Sequence, residues 1–172
     1  NIRQQASGPD FTIDFSSGPA VVLGAGGAAR AVIVALMDAG AAEIRVTNRT
    51  LERAEALAAQ VGYDGNVGVV PWDQRHDALA DAALLVNTTT LGMTGQAALD
   101  MDLQRLPESA CVTDIVYAPL ETPLLSAAKE RGNRVVDGIG MLLHQARPGF
   151  KAWFGADPQV SEALRAHVLA GL

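Results

Sequence analysis

The stretch AVVLGAGGAARAVIVALMDAG, from Ala20 to Gly40, sets a short apolar run directly against a glycine cluster and then a second apolar run with a different rhythm. A chain that only had to turn could use one glycine. Gly24, Gly26 and Gly27 instead strip side chains from neighbouring positions at an entropic cost. The cluster follows a strand-like run and opens a helical one, and Gly24 through Ala29 fits G-x-G-x-x-A. In that pattern Gly24 makes the tight turn, Gly26 admits close approach to the backbone and Ala29 packs the helix on the sheet. Amides near Gly26, Gly27 and Ala28 then point at a pyrophosphate, and the helix N-terminus adds a favourable partial charge. The other reading is a glycine-rich turn that binds nothing.

Short β-type runs alternate with helical patterns along the rest of the chain, which predicts an α/β fold: a Rossmann-like, doubly wound parallel sheet of about six strands with helices on both faces. Strands are expected at 20–24, 43–48, 67–71, 83–88, 110–116 and 134–138. Helices are expected at about 28–38, 51–61, 124–131, 141–150 and 160–169. Thr122 and Pro123 make a cap and first-turn pair for the third helix, and Thr50 is a candidate cap for the second. The turn-rich GPDFTIDFSSGP at 8–19 reads as a linker. NIRQQASG before it reads as the tail of a helix that begins outside the sequence given, so a fragment is expected. The division is 1–17 as remnant interdomain helix and linker, and 18–172 as the nucleotide-binding domain.

The second strand ends in VTNRT. A site for NAD usually carries an acidic residue near this point to hold the ribose 2′-hydroxyl, whereas here Asn48 and Arg49 occupy the strand tip and Arg53 follows one helical turn later. Arg49 offers a permanently charged planar fork for a 2′-phosphate, Asn48 and Thr50 can donate hydrogen bonds, and Arg53 adds to the field. This reads as NADP. The plainer alternative makes Arg49 and Arg53 helix-start charges paired with Glu52 or Glu55, although cations are unfavourable at a helix N-terminus unless an anion is bound.

Composition removes other classes of function. A chain of 172 residues is long enough for one domain with a real core, burying roughly 70% of its unfolded surface. The net charge of −6 offers no basic field for nucleic acid or an anionic membrane. A single cysteine, Cys111 in SACVTDIVY, excludes an internal disulfide framework and reads as a buried strand thiol in a reducing, cytoplasmic setting. No apolar run approaches the roughly 20 residues of a membrane helix. His76, His144 and His167 lack companions at metal-ligand spacing, so no metal is expected.

The motifs GAGGAARA, NRT, VNTTTLGM, DIVYAPLETPLL and DGIGMLLHQA, with a late FKAWFG at 150–155, occur in the order found in shikimate dehydrogenases, and the chain resembles the C-terminal, NADP-binding half of that family from about Gly18 onward. The resemblance implies reversible NADP-linked reduction of 3-dehydroshikimate to shikimate in a cleft shared with an N-terminal domain. It implies pyrophosphate contacts from Gly24, Ala25, Gly26, Gly27 and Ala28, and adenosine-phosphate contacts from Asn48, Arg49, Thr50 and Arg53. Thr88 and Met93 correspond to the segment passing the nicotinamide ribose, Ile115 and Gly138 to the nicotinamide end, and Tyr117 and Gln145 to substrate contacts.

In a doubly wound sheet ligands sit beyond the carboxyl ends of the strands, and Asn87, Thr88, Tyr117 and Gly138 all fall at or just after predicted strand ends. Gly138 and Gly140 would let a flat ring come close. Gln145 offers donor and acceptor together for a hydroxylated substrate, with a buried capping role as the alternative. Asp114 and Asp137 read as structural carboxylates satisfied by backbone amides. The lysine and aspartate that the family uses for proton transfer and substrate fixing have no counterpart here. Lys129 and Lys151, the chain's two lysines, lie in unrelated contexts, so no catalytic residue is assigned to this chain. The leading expectation is therefore the cofactor domain of a shikimate dehydrogenase, inactive alone. A stand-alone NADP-binding sensing or docking module, or a quinate-type dehydrogenase, are the alternatives.

Overall fold

The computed structural model describes residues 13–62 and 65–171. Among the described residues five α-helices and six strands follow in the order β1 Ala20–Leu23, α1 Gly27–Asp38, β2 Ile44–Asn48, α2 Leu51–Val61, β3 Val67–Pro71, β4 Leu84–Asn87, β5 Cys111–Asp114, α3 Pro123–Glu130, β6 Arg134–Val136, α4 Ile139–Phe154 and α5 Glu162–Leu169, with two short 3-10 turns between β3 and β4. All strand pairs are parallel, in the order β3-β2-β1-β4-β5-β6. This is the expected Rossmann-like α/β fold. The tail-of-a-helix expectation for NIRQQASG lies outside the described residues.

Every residue of β1, β4 and β5 is buried. A parallel sheet covered on both faces requires this, and it is why these runs read as continuous apolar segments rather than alternating ones. Alternation reappears in which core each residue enters. Ala20, Val22, Ile44, Val46, Leu84 and Val86 face α1 and α2, packing against Ile33, Leu36, Leu57 and Val61. Val21, Leu23, Leu85 and Val112 face the other way, against Leu79, Leu103, Leu106 and α3 through Leu124 and Leu125. Ile13 and Phe15, within the segment read as linker, also enter the first core.

Helix ends follow local chemistry. Thr122 accepts from Leu125 N, with Pro123 at the first helical position, as the sequence predicts. Thr50 occupies the cap position of α2 but makes no capping bond: its ψ is 107°, against 160° at the two capping residues Thr122 and Ser161. Helix α4 runs past its expected end at 150 despite Pro148 in its interior, and stops at Gly155, which takes a left-handed φ of 69°.

Candidate functional site

Strand order reverses at β1, whose chain continues outward through β2 and β3 on one side while β4 begins the other half. The crevice between β1 and β4 is therefore the topological switch point. Gly24 lies in it with φ +108°, and a Cβ there would stand 2.7 Å from Thr88 Oγ1. Thr88 donates from its hydroxyl to the Leu23 carbonyl at 2.6 Å and from its amide to the same oxygen at 2.9 Å. Gly24 N in turn donates to Thr47 O at 2.8 Å, so the tips of β1, β2 and β4 are tied together around the glycine turn.

Gly26 and Gly27 differ from Gly24. Neither has a positive φ, and a Cβ on either would meet no atom within 4 Å. Packing does not require glycine at these positions, nor does backbone conformation. Gly26 caps α1 in an extended conformation, and Gly27 and Ala28 begin the helix, all three exposed, with Ala25 half-buried behind them. Their surface is bare backbone at a helix N-terminus, the arrangement that suits an anion.

Beyond β2, Asn48 Nδ2 donates to Thr50 O at 2.8 Å and folds the Asn-Arg-Thr turn on itself. Arg49, Thr50 and Arg53 are exposed. Among the described residues neither arginine pairs with Glu52 or Glu55, and neither makes an ion pair or side-chain hydrogen bond. Two permanent cations thus stand in water at the start of α2.

On the other flank, Met93 is half-buried, and its neighbour Thr94 donates from N to Ala118 O at 2.8 Å, linking the loop after β4 to the loop after β5 that carries Ile115 and Tyr117. Gly138 is bare for a reason the sequence does not reveal: a Cβ there would collide with the carbonyl oxygens of Ile115 and Val116. The missing side chain makes room for protein backbone. Gln145 is exposed on α4, so the alternative of a buried cap does not apply.

Asp114 accepts from Val116 N at 3.0 Å, Asn87 Nδ2 at 3.0 Å and Thr122 Oγ1 at 2.8 Å. Burial raises its pKa above the usual carboxylate range, and these three bonds pull the other way. It is a structural carboxylate, as read from sequence, but two of its three partners are side chains, the Asn87 carboxamide and the Thr122 hydroxyl, rather than backbone amides. Asp137 accepts from Ile139 N at 3.2 Å and also pairs with Arg165 of α5. Asn87, read from sequence as a strand-end residue on the ligand edge, is fully buried at the centre of the strand tips, and its bond to Asp114 carries no sequence signal.

On the α1 side, Val86, Thr113, Ile115 and Met141 line a cavity of about 370 Å³ with Phe15, Val32 and Leu36. Among the described residues no helix is long and apolar enough to cross a membrane.

Fold order, glycine turn and strand-tip crevice define a Rossmann-type α/β domain with its ligand surface at the carboxyl ends of the strands. The family model for shikimate / quinate 5-dehydrogenase matches residues 9–116. A shikimate dehydrogenase (NADP(+)) of Paramagnetospirillum magneticum is 63% identical over 155 residues, which is 90% of this chain and 55% of the relative. That of Rhodospirillum rubrum is 56% identical over 171 residues, 98% of this chain and 59% of the relative. Among solved structures, quinate dehydrogenase from Corynebacterium glutamicum in complex with NAD superposes with a TM-score of 0.85 at 31% identity, covering 98% of this chain and 58% of that one. Shikimate 5-dehydrogenase from Thermus thermophilus, in complex with NADP(H) and shikimate, gives 0.71 at 41% identity, covering 86% and 52%. The chain belongs to the shikimate / quinate 5-dehydrogenase family, and it spans a little over half the length of the relatives it matches.

Proposed function

We propose that this chain is the NADP-binding portion of a shikimate dehydrogenase. The observation that carries the cofactor choice is Arg49, exposed and unpaired among the described residues at the tip of β2, with Arg53 one turn beyond and no carboxylate at the strand end. Gly26 and Gly27 fit the pyrophosphate, because their missing side chains leave backbone amides open at the N-terminus of α1. Arg49 and Arg53 hold the 2′-phosphate, with Asn48 shaping the turn between strand and helix. Thr88 and Met93 pass the nicotinamide ribose, and Ile115 and Gly138 back its ring.

When bound, NADPH supplies the hydride that reduces a ketone. The proton for the ketone oxygen must come from an acid placed against it, and general acid catalysis of this kind typically contributes about 10²–10⁴ in rate. Lys129 forms an ion pair with Glu121, and Lys151 lies 3.8 Å from Asp157, both on the surface. Neither sits beside Tyr117 or Gln145 in sequence, and on this reading these two residues supply one wall of a substrate cleft while the proton donor belongs to the part of the relatives that this chain does not span. Shikimate is favoured over quinate as substrate by the names of the more similar relatives.

The test is turnover followed by NADPH absorbance. The chain alone should form no NADPH from shikimate. The same chain joined to the N-terminal portion of the Paramagnetospirillum magneticum relative should form it. Robust turnover by the chain alone would refute the division of labour, and a joined protein active on quinate only would move the substrate assignment.

A further inference from the structure

Asp114 stands at the end of β5 and is 1% exposed, yet its bonds reach three separate segments. Val116 N belongs to the loop that carries Ile115 and Tyr117. Thr122 Oγ1 belongs to the cap of α3. That hydroxyl has one proton, and giving it to the carboxylate leaves a lone pair for Leu125 N at 3.3 Å, so the same bond fixes the cap of the helix. The third donor, Asn87 Nδ2, extends the connection into the loop after β4. The Asn87 amide also donates to Leu91 O at 3.2 Å, and its oxygen accepts from Thr89 N at 3.0 Å and Thr89 Oγ1 at 2.7 Å. Thr89 Oγ1 accepts from Leu91 N at 3.1 Å.

One buried carboxylate therefore joins the loop leading to Met93 with the loop bearing Ile115 and Tyr117. The glycine turn and the Asn-Arg-Thr turn make none of these bonds; they are held by Thr88, Leu23, Thr47 and Asn48. The two halves of the crevice are held by different hydrogen bonds and meet at the tip of β4, where Thr88 ties to Leu23 and the adjacent Asn87 to Asp114. We propose that Asp114 is a positioning residue for the nicotinamide half of the site, fixing the spacing between the loops after β4 and β5 while leaving the adenosine half untouched. This rests on the NADP reading above.

The isosteric Asp114→Asn keeps an acceptor for Val116 and Asn87 but turns an N–H toward Thr122, whose proton loses its carboxylate. Titrating the 172-residue chain with NADPH and with adenosine 2′,5′-bisphosphate, which carries the adenosine half alone, separates the two halves. Nicotinamide fluorescence of bound NADPH reports the ring's surroundings. Asp114→Asn should weaken NADPH about tenfold and abolish the fluorescence change of the wild type, with the bisphosphate affinity unchanged. Thr122→Val should show the same selective loss, and Thr122→Ser, which keeps the hydroxyl, should restore wild-type behaviour. If Asp114→Asn does not fold, the threonine pair decides. Equal weakening of both ligands, or unchanged NADPH binding with the wild-type fluorescence, would overturn the proposal. A wild-type chain that binds neither ligand would overturn the NADP reading, and this inference with it.

Discussion

A Cβ on Gly24 would lie 2.7 Å from Thr88 Oγ1, and that hydroxyl is already committed to the Leu23 carbonyl 2.6 Å away. The glycine turn and the tip of β4 are thus a single packed unit, in which an added side chain has no room and the φ of +108° gives it no comfortable conformation.

Gly24→Ala should consequently damage the fold itself. The backbone strain costs about 1–3 kcal/mol, and rotating Thr88 away from Leu23 would add about 1 kcal/mol. A denaturant titration of wild type and variant measures this. A midpoint equal to that of the wild type would show that the turn relaxes freely.

Gly26→Val should behave in the opposite way. Its φ of −95° and ψ of −169° suit a β-branched residue, and a Cβ there meets no protein atom within 4 Å. Only the poorer cap counts against it, at under about 1 kcal/mol. A cooperative thermal transition close to the wild type, together with loss of NADPH binding, is the expected pair of results. Retained binding would reduce the position to an ordinary turn.

Much of this division was legible in the sequence, because glycine spacing and strand-to-helix order are local signals. The six strands and the Asn-Arg-Thr strand tip follow from runs a few residues long, whereas the strand order that reverses at β1 comes from the folded sheet. What could not be read were the tertiary reasons. GAGGA does not say that Gly24 serves Thr88, 64 positions away, while Gly26 and Gly27 serve nothing in the protein. DGIG does not say that Gly138 makes room for the carbonyls of Ile115 and Val116. The cap at Thr50 failed because ψ there is set by the Asn48 to Thr50 turn rather than by residue type. Helix α4 continues four residues past its expected end at 150, to Phe154, and stops where Gly155 takes a left-handed φ.

Cys111 is 1% exposed, and burial pushes its thiol up from 9.0 to about 12, with Arg134 pulling slightly back. At mildly alkaline pH an alkylating reagent should modify it only as fast as the domain opens. A thiol whose pKa is higher in the folded state favours folding most below pH 9.0, and that contribution is lost as pH rises toward about 12. Cys111→Ala should accordingly flatten part of the stability decline across that window. Rapid alkylation under native conditions, or an unchanged decline in the variant, would place the thiol nearer solvent than the structure does.

Under the proposed function, Arg49 reads a 2′-phosphate at a strand tip that carries no carboxylate to hold a ribose hydroxyl. Calorimetric titration of the wild-type chain and Arg49→Ala, each with NADPH and with NADH, addresses it directly. NADPH should bind the wild type more tightly than NADH, and the substitution should cost NADPH about 1.5–3 kcal/mol, the range for hydrogen bonds to charged groups, while leaving NADH nearly unchanged. Equal losses for the two cofactors, or a wild type with no preference between them, would contradict the 2′-phosphate role of Arg49.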